Sequence, residues 1–282
     1  MNGTLALCAD DFGLDRATSM TIAGLAAAGR LQAVSCLVNL ACWRDCAPLL
    51  AALPAGVARG LHFNLTEGAP LSAALGRVWR APPPLARLLG AAAFGRLPGA
   101  AIAAELDAQW RAFVDATGRP PDFVDGHQHV HALRGVRGAV LRRAAAAGVP
   151  VRSTGHVVGP GFAFKRRVIE ACGGRALARA LAAQGTAHNA VLVGVYDFGA
   201  RDYRALMRGW LAALVARSSE RPSERVALLF CHPGANGDAS PHDAIASARR
   251  AEAAYLGSAA FADDLAQSGL TTAWPWRRSS AG

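Results

Sequence analysis

The chain has 282 residues, 52% hydrophobic and 18% charged, so it carries enough apolar side chain for a full core and global disorder is excluded. Its 30 glycines and 15 prolines follow no period, which excludes collagen-like, coiled-coil and low-complexity classes. The formal charge of +10 invites a nucleic-acid reading, but Lys165 is the only lysine and the arginines are spread without a clustered basic face, so no nucleic-acid partner is expected.

In chain order, Leu5 to Ala9 is an apolar run stopping at Asp10-Asp11, which predicts a buried strand with polar residues at its end. Asp15 is suited to cap a helix over about Arg16 to Ala28. Ala33 to Asn39 reads as a second strand, Trp43 to Ala52 as a helix stopped by Pro54, and Val57 to His62 as a third strand. Residues 68–98, with Pro82-Pro83-Pro84, are expected to form an irregular excursion near the rim. Ala100 to Thr117 is a helix, Pro121 to Asp125 a fourth strand, Gly135 to Ala147 a helix, and Val149 to Ser153 a fifth strand. A second variable excursion, 155–200, is partly helical and ends in the apolar stretch Ala190 to Val195. Asp202 to Arg217 and Ser240 to Leu256 read as helices around a strand over Val226 to Cys231, with a last short strand at Leu270 to Trp274.

Strand and helix alternate and the strands are continuously apolar, the pattern of a parallel sheet covered by helices. Seven or eight such units in about 280 residues predict an α/β fold, a closed or nearly closed barrel forming a single domain over 1–282. An open doubly wound sheet is the alternative, but no Gly-x-Gly-x-x-Gly turn follows the first strand. No apolar run reaches the roughly 20 residues of a membrane span, so stable membrane insertion is not expected. The opening residues lack the basic start of a signal peptide. Cys8, Cys36 and Cys231 sit in strand-like runs as small hydrophobes, and Cys42 and Cys46 lack a second ligand pair at zinc-site spacing. A reduced, cytoplasmic protein is the expectation; a homodimer is left open.

The chemistry-bearing residues gather at strand ends: Asp10 and Asp11, then Asn39, His62 and Asn64, then Asp125, His127, His129 and His131, with Arg152 and His232 after later strands. In parallel α/β folds these ends share one face, where active sites assemble. His156 follows a strand only within a loop, and His188 and His242 read as surface residues. Two adjacent buried aspartates cannot both stay ionised without a cation. A divalent metal would relieve one and leave the other to deprotonate a metal-activated water. Along an extended segment His127, His129 and His131 point to one side, and their crowding favours neutral metal ligation. One carboxylate and two histidines would leave positions open for water and substrate. His232 suits a general acid. Arg152 by itself reads as a solvated arginine, with a role in orienting Asp10 or binding substrate left open.

Four segments carry a family resemblance: Ala-Asp-Asp-Phe-Gly (9–13), Gly-Leu-His-Phe-Asn-Leu-Thr-Glu-Gly (60–68), Val-Asp-Gly-His-Gln-His-Val-His (124–131) and Cys-His-Pro-Gly (231–234). In order and spacing, from about residue 4 to 275, the chain resembles the YdjC/ChbG-like carbohydrate deacetylases. The resemblance implies a distorted (β/α) barrel related to the polysaccharide deacetylases. It also implies metal-dependent hydrolysis of the N-acetyl group of an acetylated amino sugar, on a chitooligosaccharide-like substrate or a glycolipid head group. Carried over, Asp11, His62 and His127 hold one divalent metal ion, Asp10 is the base, His232 the acid, and Arg152 orients Asp10. Asn39, Asn64, Asp125, His129 and His131 would face substrate or support the ligands. Mixed nitrogen and oxygen ligation suits zinc, with magnesium, manganese, cobalt and nickel open. The competing readings are a metal-dependent phosphoesterase and a non-catalytic carbohydrate-binding protein. Two-metal phosphoesterases want more carboxylates than this rim shows, and a mere ligand cage would not need Asp10 and His232.

Overall fold

The computed structural model describes residues 3–199, 201–221, 223, 226–235 and 243–276. Within these, the strands are β1 (Thr4–Phe12), β2 (Ala33–Cys36), β3 (Ala58–Phe63), β4 (Val124–Gly126), β5 (Val191–Val193), β6 (Val226–Cys231) and β7 (Thr271–Thr272), all but the exposed β7 built on buried, largely apolar segments. All pair in parallel in the order β4-β3-β2-β1-β6-β5, with β7 beside the start of β1. The edges of this series are joined by the segment 151–157, where Val151 bridges Val124 and Val157 bridges Leu192. The sheet thereby rolls into the expected distorted barrel with one irregular stave.

That stave corrects the expected fifth strand at Val149 to Ser153. Pro150 has no N–H to donate; its carbonyl accepts from Val124, Arg152 donates back to Val124, and the pairing goes no further than a bridge. Other boundaries shift for local reasons. The helix expected over 43–52 is α-helical only at Trp43–Cys46 and tightens to 3₁₀ over Ala47–Ala52, where Pro48 sits at its start. The 68–98 excursion is more regular than expected, holding helices Ala73–Val78 and Leu85–Ala93. The last described helix pair is Ala246–Leu256 and Ala259–Ser268; the expected start at Ser240, and His242, lie outside the described residues. Asp15 caps the helix Arg16–Ala27 as expected, accepting from Thr18 N–H at 2.8 Å.

Two apolar clusters result. The larger lies between sheet and helices and runs from Leu5 to Leu270. The smaller fills the barrel interior and includes Cys8, Ala33, Ala58, Phe123, Leu192 and Leu228, with Trp274 and Trp276 packed against it. Cys8, Ala33 and Ala58 stand in register on adjacent strands, and these small side chains leave room for the Phe123 ring. No described helix is long and apolar enough to cross a membrane.

Candidate metal and active site

Strand alternation links the apolar interior to the polar site above it. Two residues beyond the interior positions Cys8, Ala33, Phe123, Leu192 and Leu228 come Asp10, Ser35, Asp125, Gly194 and Phe230, which the period of two keeps on the same face. Four residues beyond Ala58 and Leu228 come His62 and His232. Each strand therefore delivers apolar contacts low in the barrel and chemistry at its carboxyl end.

Asp11 should point the other way by that rule, yet it lines the same cavity as Asp10. Its φ of 66° puts it in the left-handed region, and the β1–β2 register shifts between Ala9 and Phe12. This local irregularity turns two successive carboxylates to one side, at a conformational cost that aspartate tolerates better than most residues. Both are buried.

Asp11, His62 and His127 each offer a ligand atom, and the three atoms lie within 4.8 Å of one another. Asp11 Oδ1 is 3.5 Å from His62 Nε2 and 3.0 Å from His127 Nδ1. The second nitrogen of His62 lies 2.6 Å from Asp125 Oδ1, which also accepts from Ser35 Oγ at 2.6 Å. This carboxylate–histidine arrangement fixes the ring orientation that a metal needs, so the donor set fits a single divalent ion. Burial would raise the Asp11 carboxyl, but Arg249 and His127 hold it well below the ordinary range. Burial works to deprotonate His127; Asp11 and Glu67 overcome it and raise the ring to about 10, a proton that a bound cation would displace.

Arg152 is not the solvated arginine its sequence context suggests. It is 2% exposed and donates from Nη1 to Asp10 Oδ2 at 2.7 Å and from Nη2 to Asp10 Oδ1 at 2.6 Å. The same Nη2 lies 2.6 Å from Asp125 Oδ2. One guanidinium thus locks Asp10 by a two-point fork and also braces the carboxylate behind His62. The two aspartates overcome the effect of burial and keep Arg152 protonated.

The three histidines after β4 do not form an extended row. His127–Ala132 is a 3₁₀ turn with Gln128 and His129 in the left-handed region, so alternation fails there. His127 meets Asp11 and His129 lines the cavity. His131 is fully buried outside the cavity lining, with Nε2 3.0 Å from the Arg152 carbonyl, where it supports the irregular stave. Asn39 and Asn64 also stay out of the main cavity. Both amides donate to the Glu67 carbonyl, and Asn64 Oδ1 accepts from the Thr66 and Glu67 N–H groups. They build the turn that places Glu67 Oε1 3.2 Å from His127 Nε2.

His232 lines the cavity between the Phe198 and Phe230 rings, in edge contact with both. Burial depresses it to about 4, against the opposing pull of Asp11 and Asp10. Two residues of the helix Ala246–Leu256 complete the site and carry no signal in the sequence. Arg249 donates from Nη2 to Asp11 Oδ2 at 2.8 Å and from Nε to Asp243 Oδ2 at 2.7 Å. Glu252, fully buried, accepts from the His232 backbone N–H and the Tyr196 hydroxyl. Glu67 stands in the 60–68 motif, so its spacing from His62 was the available signal.

The profile of the YdjC-like protein family matches residues 4–267. A chitooligosaccharide deacetylase from Enterobacter sp. (strain 638) is 35% identical over 161 residues, covering 54% of this chain and 60% of that protein. A human carbohydrate deacetylase is 37% identical over 138 residues, covering 47% of this chain and 42% of its own. The alignment thus spans about three fifths or less of the curated relatives' length. Among solved structures, an Enterococcus faecalis V583 protein described as a cellobiose-phosphate cleavage protein superposes with a TM-score of 0.74 at 18% identity, over 97% of both chains. That likeness supports the barrel fold.

Proposed function

The chain belongs to the YdjC-like family, and we propose that it is a divalent-metal-dependent hydrolase that removes the N-acetyl group of an acetylated amino sugar. The observation that carries this reading is the buried Asp11–His62–His127 cluster with Asp10, fixed by Arg152, next to it. Relatives named chitooligosaccharide and carbohydrate deacetylases support it.

A divalent ion held by Asp11, His62 and His127 would supply Lewis-acid polarisation of the acetyl carbonyl and acidify water; zinc and magnesium head the candidates. Asp10 is then the base that takes a proton from the attacking water, in an orientation set by the Arg152 fork. His232 protonates the departing amine. Burial holds it neutral at rest, so the proton it delivers is taken up within the catalytic cycle. Residues 1–282 are read as one domain around this site, supported by a core cluster reaching from Leu5 to Leu270. A cytoplasmic location is supported by six free thiols.

The test is acetate release from N-acetylglucosamine oligomers and glycosides, before and after chelation and on adding back each ion. Activity lost on chelation and restored by an ion is expected. Asp10→Asn should lower turnover at least about 100-fold while ion binding persists. Hydrolysis of phosphodiesters instead, or unchanged turnover in Asp10→Asn, would overturn the reading.

A further inference from the structure

Resting on the deacetylase reading, we propose that Glu252 is a positioning residue for the general acid: its two carboxyl oxygens anchor the His232 main chain and, through Tyr196, the aromatic ring that faces the His232 imidazole. The ladder of β6 with β1 ends at Cys231 beside Ala9, and that with β5 ends at Leu229. The His232 N–H therefore lies past the last ladder bond, and Pro233 after it has no N–H to give. Both N–H groups of residues 232–234 go to the helix Ala246–Leu256: that of His232 to Glu252 Oε2, and that of Gly234 to the Arg249 carbonyl at 3.1 Å. Without such a partner a buried N–H costs free energy, and the turn would shift to find one.

Among the described residues no hydrogen bond holds the imidazole itself. It is placed by the Phe198 and Phe230 rings, whose centroids stand 5.2 and 5.6 Å from its own. Phe230 is fixed by its place on β6, opposite Cys8. Phe198 belongs to no strand, and its φ of 65° is a costly conformation for a bulky residue. Its ring is held between the Tyr196 ring at 4.8 Å and the Lys165 ammonium at 4.8 Å. The Tyr196 hydroxyl in turn donates to Glu252 Oε1. One buried carboxyl thus closes a loop: one oxygen fixes the backbone that carries the acid, and the other fixes the ring stack that limits where the imidazole turns. Tyr196, Phe198, Phe230 and His232 line the cavity, whereas Glu252 stands behind them and acts only through His232. Proton delivery needs the imidazole within hydrogen-bond reach of the leaving nitrogen, and a misplacement of about 1 Å costs about 100-fold.

The experiment compares two leaving groups. An amine departs only with a proton, whereas 4-nitrophenyl acetate expels a stable phenolate that needs none. Acetate release by the full chain with added divalent ion is measured on N-acetylglucosamine oligomers and on this ester. Glu252→Ala should lower kcat on the amide about 10- to 100-fold, with KM and chelator-competition ion affinity within about twofold and the ester rate within about threefold of native. His232→Ala is the reference and should show the same split between amide and ester. Glu252→Gln still accepts from the His232 N–H and meets the Tyr196 hydroxyl, so it should recover amide turnover to within about threefold of native. Tyr196→Phe removes the hydroxyl alone and keeps the test open if Glu252→Ala does not fold; it should lower amide turnover about 3- to 10-fold, the worth of one neutral hydrogen bond, and spare the ester. Equal losses on amide and ester, or no recovery in Glu252→Gln, would overturn the proposal while leaving the deacetylase reading intact. A second arm follows the His232 Cε1–H signal by NMR in the ion-free protein, assigned with His232→Ala. One sharp signal is expected in the native protein and Glu252→Gln, and a broadened or split one in Glu252→Ala; a native-like signal there would also overturn the proposal. Absence of acetate from every amide with the native protein would defeat the deacetylase reading, and the NMR arm would then decide the positioning alone.

Discussion

Arg249 holds one oxygen of Asp11 and leaves the other to the histidines: Nη2 donates to Oδ2 at 2.8 Å, while Oδ1 faces His62 and His127. A cationic side chain thus sits behind a carboxylate of the candidate metal cluster and sets which oxygen is offered. Arg249→Gln should weaken ion binding 10- to 100-fold, the usual effect of losing a group that orients a ligand. Arg249→Lys keeps the charge but cannot fork between Asp11 and Asp243, and should fall between the two. Chelator-competition titration checks both; native-like affinity in Arg249→Gln would show that Asp11 needs no such support.

Asp125 touches three parts of the site, accepting from Ser35, pairing with His62 Nδ1 and facing Arg152. Burial would raise its carboxyl, but Arg152 and His62 hold it below the ordinary range. Asp125→Asn should therefore weaken ion binding 10- to 100-fold. It should also lower unfolding free energy by about 3 kcal/mol, because Arg152 is left with one buried counter-charge. Urea unfolding of the ion-free protein separates the second effect from the first.

Glu252 imposes a pH dependence on stability. Burial pushes its carboxyl up to about 7, against the pull of Tyr196 and the His232 backbone, whereas the unfolded chain titrates near 4.5. The folded state retains a proton that the unfolded chain has released, so this contribution is complete below about pH 4.5 and is lost as pH rises toward 7. Its size is on the order of 3 kcal/mol at 1.36 kcal/mol per unit. In Glu252→Gln the term vanishes. The melting temperature of the native protein relative to this variant should fall between pH 5 and 8, and parallel curves would refute the assignment.

Gly60 has no room for a side chain, since an added Cβ would stand 2.3 Å from the Phe123 ring. Gly60→Ala should cost about 1–3 kcal/mol through overpacking of the barrel interior. Gly24, whose added Cβ meets nothing within 4 Å, is the control position. Denaturant midpoints of the two alanine variants check the contrast.

Much of the site was legible because strand periodicity is a local property. An apolar run buried on both faces ends where the barrel opens, so the polar residues after it fall on one rim, and Asp10, His62 and His232 line one cavity there. Three features were not local. Nothing in the sequence distinguishes Arg249 or Glu252 from other charged residues, and Arg152, though it follows a strand, reads by itself as solvated and gains its role only through the family resemblance; their burial arises when segments more than 100 residues apart from Asp10 or Asp11 close over them. The His127–His131 row fails as an extended strand because its backbone turns through two left-handed residues, and alternation says nothing once φ changes sign. Asp11 reaches the site only through its own left-handed conformation.

The sequence by itself determined the parallel barrel, the rim that carries the chemistry and most of the acids and imidazoles on it, because these follow from hydrophobic runs and a side-chain period of two. The tertiary structure alone decided which guanidinium faces which carboxylate and which buried carboxyl stands behind His232. Those relations depend on how distant helices pack, and no short stretch of chain encodes that distance.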